Sequence, residues 1–172
     1  MIATKTNRKG SATVTIVSDT DFVIERTFDA PARKVFKAYT TPELVRRWWG
    51  FESSEWIDCT IDLREGGTWR YVTRETRGDH VFDVGFHGTY QEIQAPTRIV
   101  HTEVYEGLPV EDPDAHAAID FVDFIEVDGV TTMRLLSRMP SKEARDGVLE
   151  SGMEKGMQIG YDRMELLFAE ID

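Results

Sequence analysis

Thr41-Pro42-Glu43-Leu44-Val45-Arg46-Arg47-Trp48-Trp49-Gly50 opens as a helix and is closed again almost at once. A proline in the first turn gives up an N–H that has no partner there anyway. Thr41 stands at the capping position, and Gly50 supplies the backbone freedom on which helices end. Just upstream, Asp29-Ala30-Pro31 repeats the device: Asp29 is placed to cap free N–H groups, and Val35, Phe36 and Tyr39 form the apolar stripe. Two short helices therefore stand back to back. Before them, Phe22-Val23-Ile24-Glu25-Arg26-Thr27-Phe28 is rich in β-branched and aromatic residues and reads as a strand.

Downstream lies a long β region. Residues 56–63 form a strand, Glu65-Gly66-Gly67 a tight turn, and residues 69–75 the return. Arg77-Gly78-Asp79 turns again into residues 80–93, Pro96 breaks the run, and residues 98–105 follow. After a polar loop with Pro109 and Pro113, residues 118–127 and 130–139 make a hairpin about Asp128-Gly129. Successive strands joined by short turns imply an antiparallel meander. Ser141 then caps a final helical stretch, with Met153, Met157, Gly160, Tyr161, Met164 and Phe168 at helical spacing. Residues 1–21 read as a loosely held extension, and residues 22–172 as a single α+β domain.

Bulk properties narrow the function. With 41% apolar residues the chain can build a globular core, and its net charge of −11 repels phosphate backbones and anionic membranes. Neither nucleic acid nor a membrane is an expected partner, and a cytoplasmic location is the default. The single cysteine, Cys59, shares a face with Ile57, Ile61 and Leu63 in an alternating strand and reads as a small core residue. His80, His87, His101 and His116 lack metal-site spacing, so no metal and no cofactor is expected.

Gly152, Gly156 and Gly160 recur every fourth residue in the last helix. Each costs roughly 1 kcal/mol against alanine inside a continuous helix, so they ask for a reason. Either they let the helix approach the sheet, which spacing alone favours, or they leave volume that Met153 and Met157 line with flexible walls. His101 alternates with Ile99, Glu103 and Tyr105 along one strand. If that face looks inward, a histidine and a carboxyl meet in an apolar interior suited to proton transfer. Val100, Thr102 and Val104 could equally face in. Trp69 and Tyr71 share a face, whereas the adjacent Trp48 and Trp49 must point apart, one packing and the other free to shield a cavity mouth.

The order strand, two short helices, six strands, long helix resembles the helix-grip order of the START/birch-pollen-allergen-like (SRPBCC) superfamily. Within it the chain is similar to proteins related to the C-terminal domain of the activator of heat-shock protein 90 ATPase. The resemblance is carried by Phe28-Asp29-Ala30-Pro31 with Val35-Phe36, by Thr41-Pro42-Glu43-Leu44 through Trp48-Trp49-Gly50, and by Asp62-Leu63-Arg64-Glu65-Gly66-Gly67-Thr68-Trp69-Arg70. It continues in Pro96-Thr97-Arg98-Ile99-Val100-His101-Thr102-Glu103, in Asp128-Gly129 with Thr131-Thr132, and in Ser151-Gly152-Met153-Glu154 with Asp162-Arg163-Met164. Where such proteins often have Gly-Pro after the paired tryptophans, this chain has Gly50-Phe51-Glu52, so the loop there differs.

The resemblance implies a curved antiparallel sheet wrapped around a long C-terminal helix, with a cavity between them for a small apolar or aromatic molecule. It implies no reaction, and the chain is not expected to be an enzyme. The candidate lining is Trp49, Trp69, Tyr71, His101, Tyr105, Met153, Gly156, Met157 and Tyr161. Two alternatives are carried: a polyketide cyclase- or hydrolase-like enzyme using His101 and Glu103, and a co-chaperone. The last is ranked below because the resemblance reaches only one domain of that activator, so no chaperone partner is expected; a homodimer is admitted.

Overall fold

A computed structural model describes residues 7–172. The elements run β1 (Thr13–Ile16), β2 (Asp21–Phe28), α1 (Ala32–Thr40), α2 (Pro42–Trp48), β3 (Glu55–Ile61), β4 (Thr68–Arg77), β5 (His80–Gln94), β6 (Arg98–Tyr105), β7 (Ala118–Val127), β8 (Val130–Arg138), α3 (Lys142–Glu150) and α4 (Met153–Leu167). All eight strands form one antiparallel sheet in the order β1-β2-β8-β7-β6-β5-β4-β3. The sheet curves around α4, and α1 and α2 close one side. This is the helix-grip arrangement.

Residues 1–6 of the expected extension lie outside the described residues. Beyond them the extension is tied down. Gly10 and Ala12 donate backbone N–H groups to Asp162 and Gln158 of α4, and residues 13–16 pair with β2 as the edge strand β1. The weak alternation there is that of a strand with one partner.

Three local expectations are corrected. Asp29 does not cap α1: Pro31 takes the capping position, which moves the helix start away from Asp29. Glu126 of β7 accepts from the Ala32 N–H at 2.8 Å instead, and Asp29 pairs with Arg8. In β3 a register shift between Trp56 and Asp58 inserts Ile57 as an unpaired extra residue. Trp56 and Cys59 therefore both face inward, and Ile57 is 47% exposed. Leu63, past the end of the strand, is 39% exposed. The C-terminal helix is two helices, because Gly152 adopts φ +81° at the joint between α3 and α4. Gly152 is therefore no helix-interior glycine.

A buried arginine fixes α4 to the sheet. Arg26 of β2, 1% exposed, meets Asp162 at 2.7 Å and Glu165 at 2.8 Å, one turn apart on α4. Alongside, the Phe28 ring packs edge-on against Tyr161 and Phe168. On its other side α4 crosses α2 closely. A side chain at Gly160 would begin 3.1 Å from the Trp48 carbonyl oxygen, so this glycine serves close packing, against a helix rather than the sheet.

Candidate functional site

Register places the inward-facing side chains in rows across the sheet. One row is apolar: Ile24, Leu135, Val122 and Ile99 are successive cross-strand partners on β2, β8, β7 and β6. The neighbouring row is polar. Ser137 of β8 stands opposite Asp120 of β7, Asp120 opposite His101 of β6, and His101 opposite Tyr90 of β5. Glu103, two residues along β6, shares that face. The sequence left the phase of β6 open because Val100 and Val104 on the other face are buried too.

Much of this polar row lacks protein partners. His101 Nδ1 lies 3.0 Å from the Thr102 carbonyl. A carbonyl only accepts, so Nδ1 carries a proton and, in the neutral ring, Nε2 presents a lone pair. Among the described residues, no hydrogen bond reaches His101 Nε2, the Glu103 carboxyl, or the hydroxyls of Tyr39, Tyr71, Tyr90 and Tyr161. Asp120 is 3% exposed, and its Oδ1 is buried without a partner. Buried polar groups are normally paired, so Asp120 Oδ1 stands out on this face as a buried acceptor with no partner.

Burial sets the protonation states. It pushes the Glu103 carboxyl up to about 8, with repulsion from Asp120 adding to the effect. Burial raises Asp120 as well, while His101 and the Ser137 hydroxyl oppose the shift. Burial also lifts Tyr39, Tyr71, Tyr90 and Tyr161 above the usual phenol range, keeping all four neutral.

Aromatic rings wall this floor. Trp69 lies edge-on to His101 at 5.3 Å, and its indole N–H donates to the Thr102 carbonyl across Gly88, where any side chain would collide. Tyr71 packs against Trp69 at 4.8 Å. Trp49 closes that end against Tyr71, Phe86 and Trp56, with ring centroids 5.5, 5.8 and 5.6 Å away, while Trp48 turns the other way into the core. On its outer side Trp49 borders a cleft of about 290 Å³ that also touches Arg46, Phe51 and Arg163.

The structure thus brings Trp49, Trp69, Tyr71, His101, Glu103 and Tyr161 to one concave face. Met153 and Met157 pack half-buried against the same core. Tyr105 sits at the rim, 39% exposed, against Phe86. Gly156 is not part of the lining, since a side chain there would meet only the Phe51 ring, at 3.6 Å. Asp120, Tyr39 and Tyr90 were missed. Asp120 was legible in principle: in the alternation Ala118, Asp120, Val122, Phe124 it is an acid with apolar residues on both sides in its own phase. Cys59 is buried and its thiol is pushed up to about 11 by burial, consistent with a core residue. Among the described residues there is no cluster able to hold a metal ion and no helix long and apolar enough to cross a membrane.

A family model described as Activator of Hsp90 ATPase homolog 1-like protein matches residues 29–169. No curated protein matches the chain. Among solved structures, a crystal structure of a Rhodobacter sphaeroides protein aligns with a TM-score of 0.80 at 23% identity, covering 93% of this chain and 99% of that one. The solution structure of an Arthrobacter aurescens protein aligns at 0.74 and 22% identity, over 92% and 91%. A Mycobacterium smegmatis crystal structure gives 0.74 and 22%, over 90% and 96%. These likenesses establish the fold.

Proposed function

From a chain that belongs to the Activator of Hsp90 ATPase homolog 1-like family, we propose a binding protein that takes up one small, largely aromatic or apolar molecule between the concave sheet face and α4. The family and fold support a cavity able to hold a small molecule. The observation that carries the reading is the concave face itself, where aromatic rings stand beside polar groups without protein partners, the buried Asp120 Oδ1 above all. Aromatic surface supplies affinity, and a few fixed polar groups supply orientation.

The test is uptake of N-phenylnaphthylamine, followed by its fluorescence, together with native mass spectrometry of gently purified protein. Saturable binding of one probe per chain, lost in Met157→Trp with the fold intact, is the expected result. A protein that takes up no probe and carries no small molecule would overturn the reading.

An enzymatic role is the second reading, favoured by the shared inward face of His101 and Glu103 and by the Asp120–His101 pairing. Turnover of aryl ester or cyclisable polyketide substrates, abolished in both His101→Ala and Glu103→Gln, would support it. Activity unchanged in those variants would remove it. A chaperone role would require stimulation of a chaperone ATPase at saturating protein, which is not expected.

A further inference from the structure

We infer that the interior site selects ligands bearing a protonated amine on an aromatic or apolar body; this rests on the binding reading above. The acceptors converge. Asp120 Oδ1 is buried without a donor, the Glu103 carboxyl makes no hydrogen bond and keeps an acceptor oxygen free even when protonated, and His101 spends its Nδ1 proton on Thr102, so that in the neutral ring Nε2 accepts. Arg26, the buried cation beside Tyr161, is engaged by Asp162 and Glu165. The floor's own donors, the protonated Glu103 carboxyl and the tyrosine hydroxyls, are single O–H groups, and none offers several N–H donors on one positive charge.

The alternatives fit less well. A ligand carbonyl could take a proton from Glu103 or a tyrosine, but it would leave Asp120 Oδ1 unsatisfied. A ligand carboxylate would add a third acid to two that already repel each other. An ammonium group supplies donors to both carboxyls and its charge relieves their repulsion. Trp69 and Tyr90 pack beside His101, and Tyr71 against Trp69, adding aromatic rings whose faces attract cations.

The experiment compares naphthylethylamine, naphthylethanol and naphthylacetate by isothermal titration calorimetry at neutral pH, on the full chain. The amine is expected to bind at least about tenfold more tightly than the alcohol, as charge-assisted hydrogen bonds do, and the carboxylate most weakly. In the combined variant Asp120→Asn with Glu103→Gln, amine and alcohol should bind within about twofold of each other. Alcohol binding equal to amine binding in the unaltered protein overturns this inference and leaves the binding reading standing. If none of the three binds, both fall. Full amine preference in the folded double variant also overturns it. Should the double variant not fold, Glu103→Gln alone is used, and the amine-to-alcohol ratio of the unaltered protein decides.

Discussion

Asp120 of β7 stands directly across from His101 of β6, and the Asp120 Oδ1 atom has no hydrogen-bond partner in the fold. An unmet acceptor of this kind costs roughly 1–3 kcal/mol. The same strand pair carries Glu103, so two carboxyls share a space in which neither is paired with a cation. A fold optimised for stability alone would place apolar side chains there, as the adjoining row of Ile24, Leu135, Val122 and Ile99 does. The cost is borne where the domain has its concave face.

The pH dependence of stability follows from Glu103. Unfolded, its carboxyl releases a proton near its ordinary 4.5, whereas folded it holds the proton up to about 8. Between these values the folded form binds more protons, so stability is fully present below about 4.5, falls as pH rises, and levels off above about 8. Asp120, raised in the same direction, acts in the same sense. His101, Tyr39, Tyr71 and Tyr161 also face this pair, so the clean measure is a difference between variants. Glu103→Gln removes the group. Its stability advantage in urea denaturation should grow from about pH 5 to pH 8, reaching on the order of 2 kcal/mol. A difference that stays flat with pH would remove Glu103 from the buried pair.

Arg26→Ala should be among the most damaging single substitutions. It strands Asp162 and Glu165, whose side chains are largely buried, and releases α4 from β2. Removing one partner of a buried ion pair typically costs about 3–5 kcal/mol. Arg47, which pairs with Glu170 at the surface, provides the control. Arg47→Ala should leave the chemical denaturation midpoint essentially unchanged. Equal effects from the two would mean that Arg26 does not hold the helix.

The succession of elements could be read because turns and caps are local signals. Asp128-Gly129, Pro42 and the Ser141 cap act within a few residues, and the structure bears each out. What escaped the reading depends on distance in the chain or on a shift of phase. Glu126 caps a helix far upstream of it, and the irregularity at Ile57 inverts one end of a strand while the composition still alternates. The site was half legible. The aromatic members announced themselves, but the inward phase of β6 is set by pairing with Asp120 and Tyr90 on neighbouring strands. Nothing in residues 98–105 alone distinguishes that face from the one carrying Val100 and Val104.

The two glycines within α4 should respond to alanine with opposite signs. At Gly156 an added methyl group would lie 3.6 Å from the Phe51 ring, an ordinary contact, with nothing else nearby. The helix would then gain up to about 1 kcal/mol of propensity without a steric penalty, raising Tm by roughly 2–4 °C in a chain of this size. At Gly160 the methyl group would sit 3.1 Å from the Trp48 carbonyl oxygen, at the last residue of α2. Trp48 is buried, and its indole N–H is bonded to the Ala38 carbonyl, so its backbone is poorly placed to retreat. Separating the two helices should cost more than propensity returns, because overpacking typically costs about 1–3 kcal/mol, and Tm should fall. Thermal melts of both variants without ligand test the pair. A fall at Gly156 would show that this position is packed more tightly than the contact with Phe51 implies. A rise at Gly160 would show that α2 yields, and that close helix contact is not why glycine stands there.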